Sequence, residues 1–387
     1  MRKTFRPVFP EASDFPVVVF NFQQELRMLK KAAALFVVCV SVAIGLSCGV
    51  TSGRYLYVAV PGLNEIVVYR EDPNSGILTQ LAGSPITAGS AVESIVIHPS
   101  NKFMYAANAG DSPGDVSLFT ISPGGAINEV TPRTPAGTAP TVLAMDPAGN
   151  FLYVGNSGSL NVSIFSINSK TGALSEVVGS PFSMGLSPLN LAVSPSGGFL
   201  YVTGVGNPGA IEAFSLNQGV PTVIAGTPFV TGNGPYGLAI ASGGGFLYTA
   251  NKLDDSISEF TINADGSLTQ FSNSPIGEQY TGPLALLIDK SGKYMYVANQ
   301  GSSNVAAYSI GGQGSAAGAL NLLTNSPFAT GAQPSALAMD PGGKYIFVGN
   351  QTTSKVQSFQ LDTGSGTLTS VNTYNLPGAP TSIAVTP

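Results

Sequence analysis

The sequence predicts an all-β fold, a seven-bladed β-propeller with four-stranded blades, on three observations. One hexapeptide, YLYVAV at 55–60, returns as FMYAAN (103–108), FLYVGN (151–156), FLYVTG (199–204), FLYTAN (246–251), YMYVAN (294–299) and YIFVGN (345–350). Its third position falls at Tyr57, Tyr105, Tyr153, Tyr201, Tyr248, Tyr296 and Phe347, giving spacings of 48, 48, 48, 47, 48 and 51 residues. Each unit also carries three further strand-like segments. Finally, 47 glycines and 28 prolines follow no triplet period, so they read as turn punctuation between many short strands. A chain of 387 residues would by length alone suggest two domains, and the repetition overturns that default.

The elements follow in a fixed order. The hexapeptide is the second strand of a blade. A β-branched residue followed three later by an aromatic marks the third: Ile66/Tyr69, Val116/Phe119, Val162/Phe165, Ile211/Phe214, Ile257/Phe260, Val305/Tyr308 and Val356/Phe359. A Gly-bearing turn leads to a polar segment such as GALSEV (172–177) or GSLTQF (266–271), suited to the exposed outer edge. This segment often closes in a turn such as Gly179-Ser180-Pro181-Phe182. Last comes a small apolar strand, LAMD at 143–146 or LAVS at 191–194, suited to the crowded axis. The final long spacing places its extra residues in Gly311–Gly318, as a lengthened hairpin. Because the repeats begin on a second strand and end on the innermost-type segment Ser382-Ile383-Ala384-Val385, one blade is expected to combine strands from both ends of the domain. That pairing closes the ring and removes two free sheet edges.

Ahead of the repeats, residues 32–46 form an apolar run preceded by Lys30 and Lys31. Fifteen residues are short for a membrane span and suit the apolar region of a signal peptide. The organisation expected is therefore a signal peptide over 28–48 and a propeller over 49–387. Residues 1–27 read either as an extension upstream of a start at Met28 or as a long signal n-region. Cys48 stands where a lipobox cysteine would, with Gly45 in the place usual for leucine and Leu46 displaced by one. Lipidation at Cys48 and ordinary cleavage nearby both remain open. Cys39, the only other cysteine, lies inside the apolar run, so the mature chain has no pair of cysteines for an internal disulfide. The localisation expected is periplasmic, outer-membrane-anchored or extracellular.

Only 10% of residues are charged, and the formal net charge is −5. The propeller portion is more acidic still, because Arg2, Lys3, Arg6, Arg27, Lys30 and Lys31 precede it. Such a balance argues against nucleic acid or an anionic membrane surface as partner, leaving an N-terminal lipid as the one membrane attachment. Acidic pairs at Asp111/Asp115 and Asp254/Asp255 lack the dense oxygen-ligand spacing of a calcium loop, and no His/Cys cluster offers a zinc site. No metal or cofactor is expected.

Over roughly residues 53–387 the units resemble the lactonase-type propeller family with YVTN-type repeats, which includes bacterial 6-phosphogluconolactonase and fungal carboxymuconate-type lactonising enzymes. The resemblance rests on the F-L-Y-V-A-N, V-x-x-F-S-I and T-G-x-L strands and the L-A-x-D-P turn. These are scaffold motifs. The resemblance implies lactone hydrolysis by histidine, arginine and acidic side chains around the mouth of the central channel.

The inventory for that chemistry is small. His98, the sole histidine, occupies the repeat position of Asp146, Ser194, Asp289 and Asp340, so a turn role is preferred to that of a catalytic base. Without a second histidine, a Ser-His-Asp arrangement has no other candidate. The propeller has three arginines, Arg54, Arg70 and Arg133, and none falls on an innermost strand. A bidentate phosphate clamp is therefore not visible, which counts against a phosphorylated lactone. The residues opening the innermost strands are Glu93, Thr141, Leu189, Tyr236, Leu284, Ser335 and Thr381. The next ring reads Ser94, Val142, Asn190, Gly237, Ala285, Ala336 and Ser382. Glu93 is the one carboxylate in either ring and the candidate general base on water. Asn190 and Tyr236 are candidate ligand-binding neighbours, and Glu278 and Tyr280 of the loop EQYTGP are candidates to complete a polar pocket. The asparagines ending five second strands, Asn108, Asn156, Asn251, Asn299 and Asn350, read as structural turn-closers.

The preferred expectation is a monomeric binding module whose channel mouth takes a carbohydrate, peptide or protein. The alternative is an extracytoplasmic hydrolase acting on an unphosphorylated lactone, with Glu93 activating water. A structural role in envelope assembly has no positive feature in the sequence.

Overall fold

Hexapeptides with almost no polar side chain need both faces covered, and a ring of radially packed sheets supplies that cover. The computed structural model describes residues 53–206, 208–311 and 317–387. The signal segment and Cys48 lie outside these residues, as does most of the Gly311–Gly318 hairpin. Seven antiparallel sheets follow one another along the chain. In the third, the order from rim to axis is Leu174–Glu176, Asn161–Ile167, Phe151–Asn156 and Pro140–Met145, and the other six repeat it. The polar segment is the outer strand and the small apolar one the inner, as their compositions require. The inner strands pack one against the next around the axis.

Burial follows position in the blade. The second strands are buried on both faces, and Tyr57, Tyr105, Tyr153, Tyr201, Tyr248 and Tyr296 are inaccessible to solvent. The outer strands are the more exposed, with Leu78 buried and Thr79 and Gln80 exposed. In five blades the outer position is divided. A two-residue strand such as Phe182–Ser183 pairs separately with the third strand, after the Gly-Ser-Pro turn. The turn serine holds the break, since the Ile164 amide donates to Ser180 Oγ at 2.9 Å and the Val68 amide to Ser84 Oγ at 2.8 Å. In blades 2 and 7 the outer strand runs unbroken, over Ile127–Pro135 and Leu368–Asn375.

One contact repeats between blades. The hydroxyls of Tyr57, Tyr105, Tyr153, Tyr201, Tyr248 and Tyr296 donate to the carbonyls of Gly125, Gly172, Gly219, Gly266, Gly318 and Gly366, each in the next blade's turn between third and outer strands. The distances run from 2.6 Å to 3.5 Å. These glycines have positive φ, and each lies under the aromatic residue that opens the neighbouring second strand. A Cβ on Gly125 would meet the Tyr55 ring at 2.1 Å, so the close approach and the backbone conformation both require glycine.

The asparagines at the ends of the second strands serve the scaffold. Asn156 Nδ2 donates to Asn161 Oδ1 and Ser163 Oγ across the hairpin that follows, and its Oδ1 accepts the Gly137 amide at 3.1 Å. Asn108 and Asn251 make the same kind of bridge. All five are buried.

The ring closes as the repeat phase requires. Ser382–Val385 pairs antiparallel with the first strand, Leu56 opposite Val385 and Ala59 opposite Ser382. The seam between blades 7 and 1 differs from the other junctions because Phe347 has no hydroxyl to donate. There Tyr345 donates to the Asn74 carbonyl at 2.6 Å, and Arg54 pairs with buried Asp340 at 2.6 Å. Glu71 is 1% exposed, 3.9 Å from Arg54, and neither carboxylate oxygen has a hydrogen-bond partner. Burial first, then the nearby Asp340 carboxylate, push its pKa up to about 7, with Arg54 opposing.

Three outcomes follow. Ending the chain at 379 removes the closing strand and should lower the thermal midpoint by about 10 °C or more; an unchanged melt would contradict the closure. Tyr105→Phe strands the buried Gly172 carbonyl and should cost about 1–3 kcal/mol in denaturant unfolding, whereas a cost near zero would remove the latch from the account. Glu71 keeps its proton in the folded chain up to about pH 7 but loses it near 4.5 when unfolded. Its contribution to stability is therefore full below about pH 4.5, is lost as pH rises to about 7, and stays lost above. Glu71→Gln should stabilise the protein at pH 8 by up to about 3 kcal/mol and change little at pH 4. Parallel stability–pH curves for the two proteins would refute this.

Candidate functional site

The inner strands open with a shared irregularity. Opposite the second strand, Val92 pairs with Asn108 and Ser94 with Ala107, so Glu93 is left out of the ladder. The same slip leaves out Thr141, Leu189, Tyr236, Leu284 and Ser335. Five of these bulges begin at proline: Pro140, Pro188, Pro235, Pro283 and Pro334. Proline has no N–H for a regular ladder and is tolerated where pairing is already interrupted. A bulge re-aims the extra residue, so this ring of positions is where side chains can vary without disturbing the sheets. Thr381 stands at the equivalent place in blade 1, its amide donating to the Ala59 carbonyl at 3.2 Å.

Polar side chains of the adjacent ring are spent on holding the inner strands together. Ser382 Oγ accepts the Ile95 amide and Ser94 Oγ the Leu143 amide, both at 3.2 Å. Asn190 Nδ2 donates to the Tyr236 carbonyl at 2.8 Å, while its Oδ1 accepts the Leu191 amide. Asn190 and Tyr236 are thus brought together through the backbone. The Thr381 hydroxyl is likewise committed to the Glu93 carbonyl at 2.9 Å. The Glu93 carboxylate is half-buried and has no hydrogen-bond or ion-pair partner among the described residues. Burial alone raises its pKa, which makes it a better proton acceptor than an exposed glutamate.

One neighbour of Tyr236 was not found by sequence reasoning. Lys252 Nζ stands 5.2 Å from the Tyr236 ring centroid, a cation–π contact from the turn after the second strand of blade 5. A lysine in a hairpin turn carries no periodic signal, so only the folded ring reveals it.

Glu278 and Tyr280 are placed differently from Glu93. Glu278 takes the position that Ala88, Met184, Thr231 and Thr330 fill in other blades, its amide donating to the Asp255 carbonyl at 2.7 Å. Tyr308 donates to Glu278 Oε2, and Oε1 is buried without a partner. Burial pushes this carboxyl up to about 7, against the lowering effect of the Tyr308 hydrogen bond. Tyr280 packs against the core between blades 5 and 6. Neither hydrogen-bonds to Glu93, Asn190 or Tyr236.

The other candidates have structural partners. His98 Nε2 lies 3.0 Å from the Gly149 carbonyl, which can only accept, so that nitrogen carries the proton. Nδ1 then accepts the Ser100 amide at 3.0 Å. His98 is 6% exposed, in the turn between inner and second strands. Of the arginines, Arg54 is held by Asp340, Arg133 by Glu129 at 2.6 Å, and Arg70 is exposed on the third strand of blade 1. Asp115 receives Asn108, Asp254 receives Asn233 and Ser256, and Asp255 receives Gly282, so these carboxylates tie down loops. Among the described residues no group of His, Cys, Asp and Glu is arranged to hold a metal ion.

Among curated proteins none matches by sequence. Solved structures match over nearly their whole length. A protein described as a putative 6-phosphogluconolactonase from Bacteroides fragilis superposes with a TM-score of 0.74 at 20% identity, covering 87% of this chain and 99% of that one. The periplasmic gluconolactonase of Pseudomonas aeruginosa gives 0.73 at 21% identity, covering 87% and 99%. At these identities the likeness is one of fold. The family described as lactonase, 7-bladed β-propeller, matches residues 51–185, 209–327 and 314–385. With seven blades, their shared latches and a match over most of the sequence, the chain belongs to the seven-bladed lactonase propeller family.

Proposed function

We propose that this propeller is an exported binding module whose channel mouth takes an uncharged, hydroxyl-rich ligand of the carbohydrate type. The observation that carries the reading is Glu93: a half-buried carboxylate without a partner, on a ring from which His98, Arg54 and Arg133 are withdrawn into structural contacts. A carboxylate accepts hydrogen bonds from sugar hydroxyls, and Tyr236 offers an aromatic edge beside them. A phosphorylated sugar would bring two negative charges to a ring whose one carboxylate is Glu93, and Lys252, the cation seated over Tyr236, is a point charge without the fork of an arginine. Export follows from the reading of residues 28–48, with the choice between lipidation at Cys48 and simple cleavage left to mass analysis of the native N-terminus.

A second reading is favoured by the raised pKa of Glu93 and by the likeness to a periplasmic gluconolactonase. It is hydrolysis of an unphosphorylated lactone, with Glu93 taking a proton from the attacking water.

One experiment separates them. Calorimetry against a panel of neutral oligosaccharides, beside pH-stat assays on aldonolactones, should show saturable sugar binding weakened about tenfold or more by Glu93→Gln, a loss of about 1.4 kcal/mol. No sugar binding, together with lactone turnover that Glu93→Gln abolishes, would replace the binding module with the hydrolase. Binding or turnover indifferent to Glu93→Gln would remove the mouth as the site.

A further inference from the structure

Blades 5 and 6 bury carboxylates that no side chain neutralises. Glu259, on the third strand of blade 5 (Ser256–Ile262), is 3% exposed. It fills a position held by Val68, Leu118, Ile164, Ala213 and Ala307 in other blades. Its Oε1 accepts the Leu320 amide of blade 6 at 2.9 Å, and its second oxygen takes no hydrogen bond among the described residues. Glu278 stands in the same junction behind Tyr308. Other carboxylates are answered differently: Arg54 meets buried Asp340 and Arg133 meets part-buried Glu129, while buried Asp146 and Asp289 accept backbone amides. At this junction the described residues form no ion pair. A buried carboxylate must either hold its proton or acquire a counter-charge.

Glu259 also lines a cleft of about 550 Å³ between the outer strands of the two blades. Phe246 and Phe271 form part of its wall, edge to face with centroids 6.1 Å apart, and Ser272 and Asn273 add polar groups. Among the described residues no lysine or arginine lines it. We propose that this inter-blade cleft binds a small organic cation of the ammonium class, with its charge on Glu259 and its alkyl groups against Phe246 and Phe271. Weakly hydrated ammonium ions gain from aromatic faces, as a compact metal ion does not. A divalent metal would need several oxygen ligands, and the described residues of the cleft supply one carboxylate. The site lies on the rim of the propeller and is separate from the ring containing Glu93.

The test is calorimetry and thermal unfolding of the full chain at pH 8 with tetramethylammonium chloride, against sodium chloride at equal ionic strength and calcium chloride. Saturable binding of tetramethylammonium is expected, with affinity reduced about tenfold or more in Glu259→Gln, reduced less in Phe271→Leu, and unchanged in Glu93→Gln. Phe271→Leu keeps the test open should Glu259→Gln unfold, because it leaves the buried carboxylate in place. Three results would overturn the proposal: no saturable binding, binding that both cleft substitutions leave unchanged, or a calcium response that Glu259→Gln removes while tetramethylammonium gives none.

Discussion

At all but one of the junctions a blade is tied to the next by a tyrosine hydroxyl donated to a glycine carbonyl, with an aromatic ring lying over that same glycine. The bond is buried, so leaving the carbonyl unpaired costs more than the bond itself contributes. Its donor is a second-strand tyrosine inaccessible to solvent, and its acceptor lies in a turn whose positive φ only glycine adopts without strain. Six junctions use this device. The seventh, between blades 7 and 1, lacks it and carries the Arg54–Asp340 pair beside a Tyr345–Asn74 bond of the kind that Tyr55 and Tyr294 make at other junctions. Among the described residues the seam is thus the one junction with an ion pair across it, and it is also where Glu71 is buried without a hydrogen bond.

A ring fastened at its second strands and lower turns leaves its inner-strand openings free to differ. Each bulge there takes one residue out of the ladder, and the residues found range from Glu93 through Thr141 and Leu284 to Tyr236. Membership of the lactonase propeller family describes the fastening, which repeats, whereas the side chains that differ from blade to blade stand at the bulges. The same separation explains why His98 adds nothing to the mouth. It belongs to the turn positions, where Asp146, Ser194, Asp289 and Asp340 likewise receive backbone amides.

Electrostatics sharpen the contrast between junctions. With few basic residues in the propeller, its inward-facing carboxylates find different partners, and buried Asp146 and Asp289 accept backbone amides. Glu129 and Asp340 capture arginines, while Glu71, Glu278 and Glu259 have their pKa values raised by burial. The repeat sets the backbone environment of these positions, and the substitution of glutamate for an apolar residue sets their charge.

The number of blades, the order of strands and the closing pair were legible in the sequence, because apolar periodicity and turn residues act locally and recur at a fixed spacing. The ring from Glu93 to Thr381 was legible too, since equivalent positions in a repeat occupy equivalent places. Tertiary structure decided which of those side chains remain available: Asn190 is consumed by a backbone carbonyl, Thr381 by that of Glu93, and Glu278 by Tyr308 of the adjoining blade. It also decided the splitting of five outer strands and the seating of Lys252 over Tyr236. These contacts join residues from different strands, turns and blades, so their partners depend on how the blades meet, which no single repeat unit encodes.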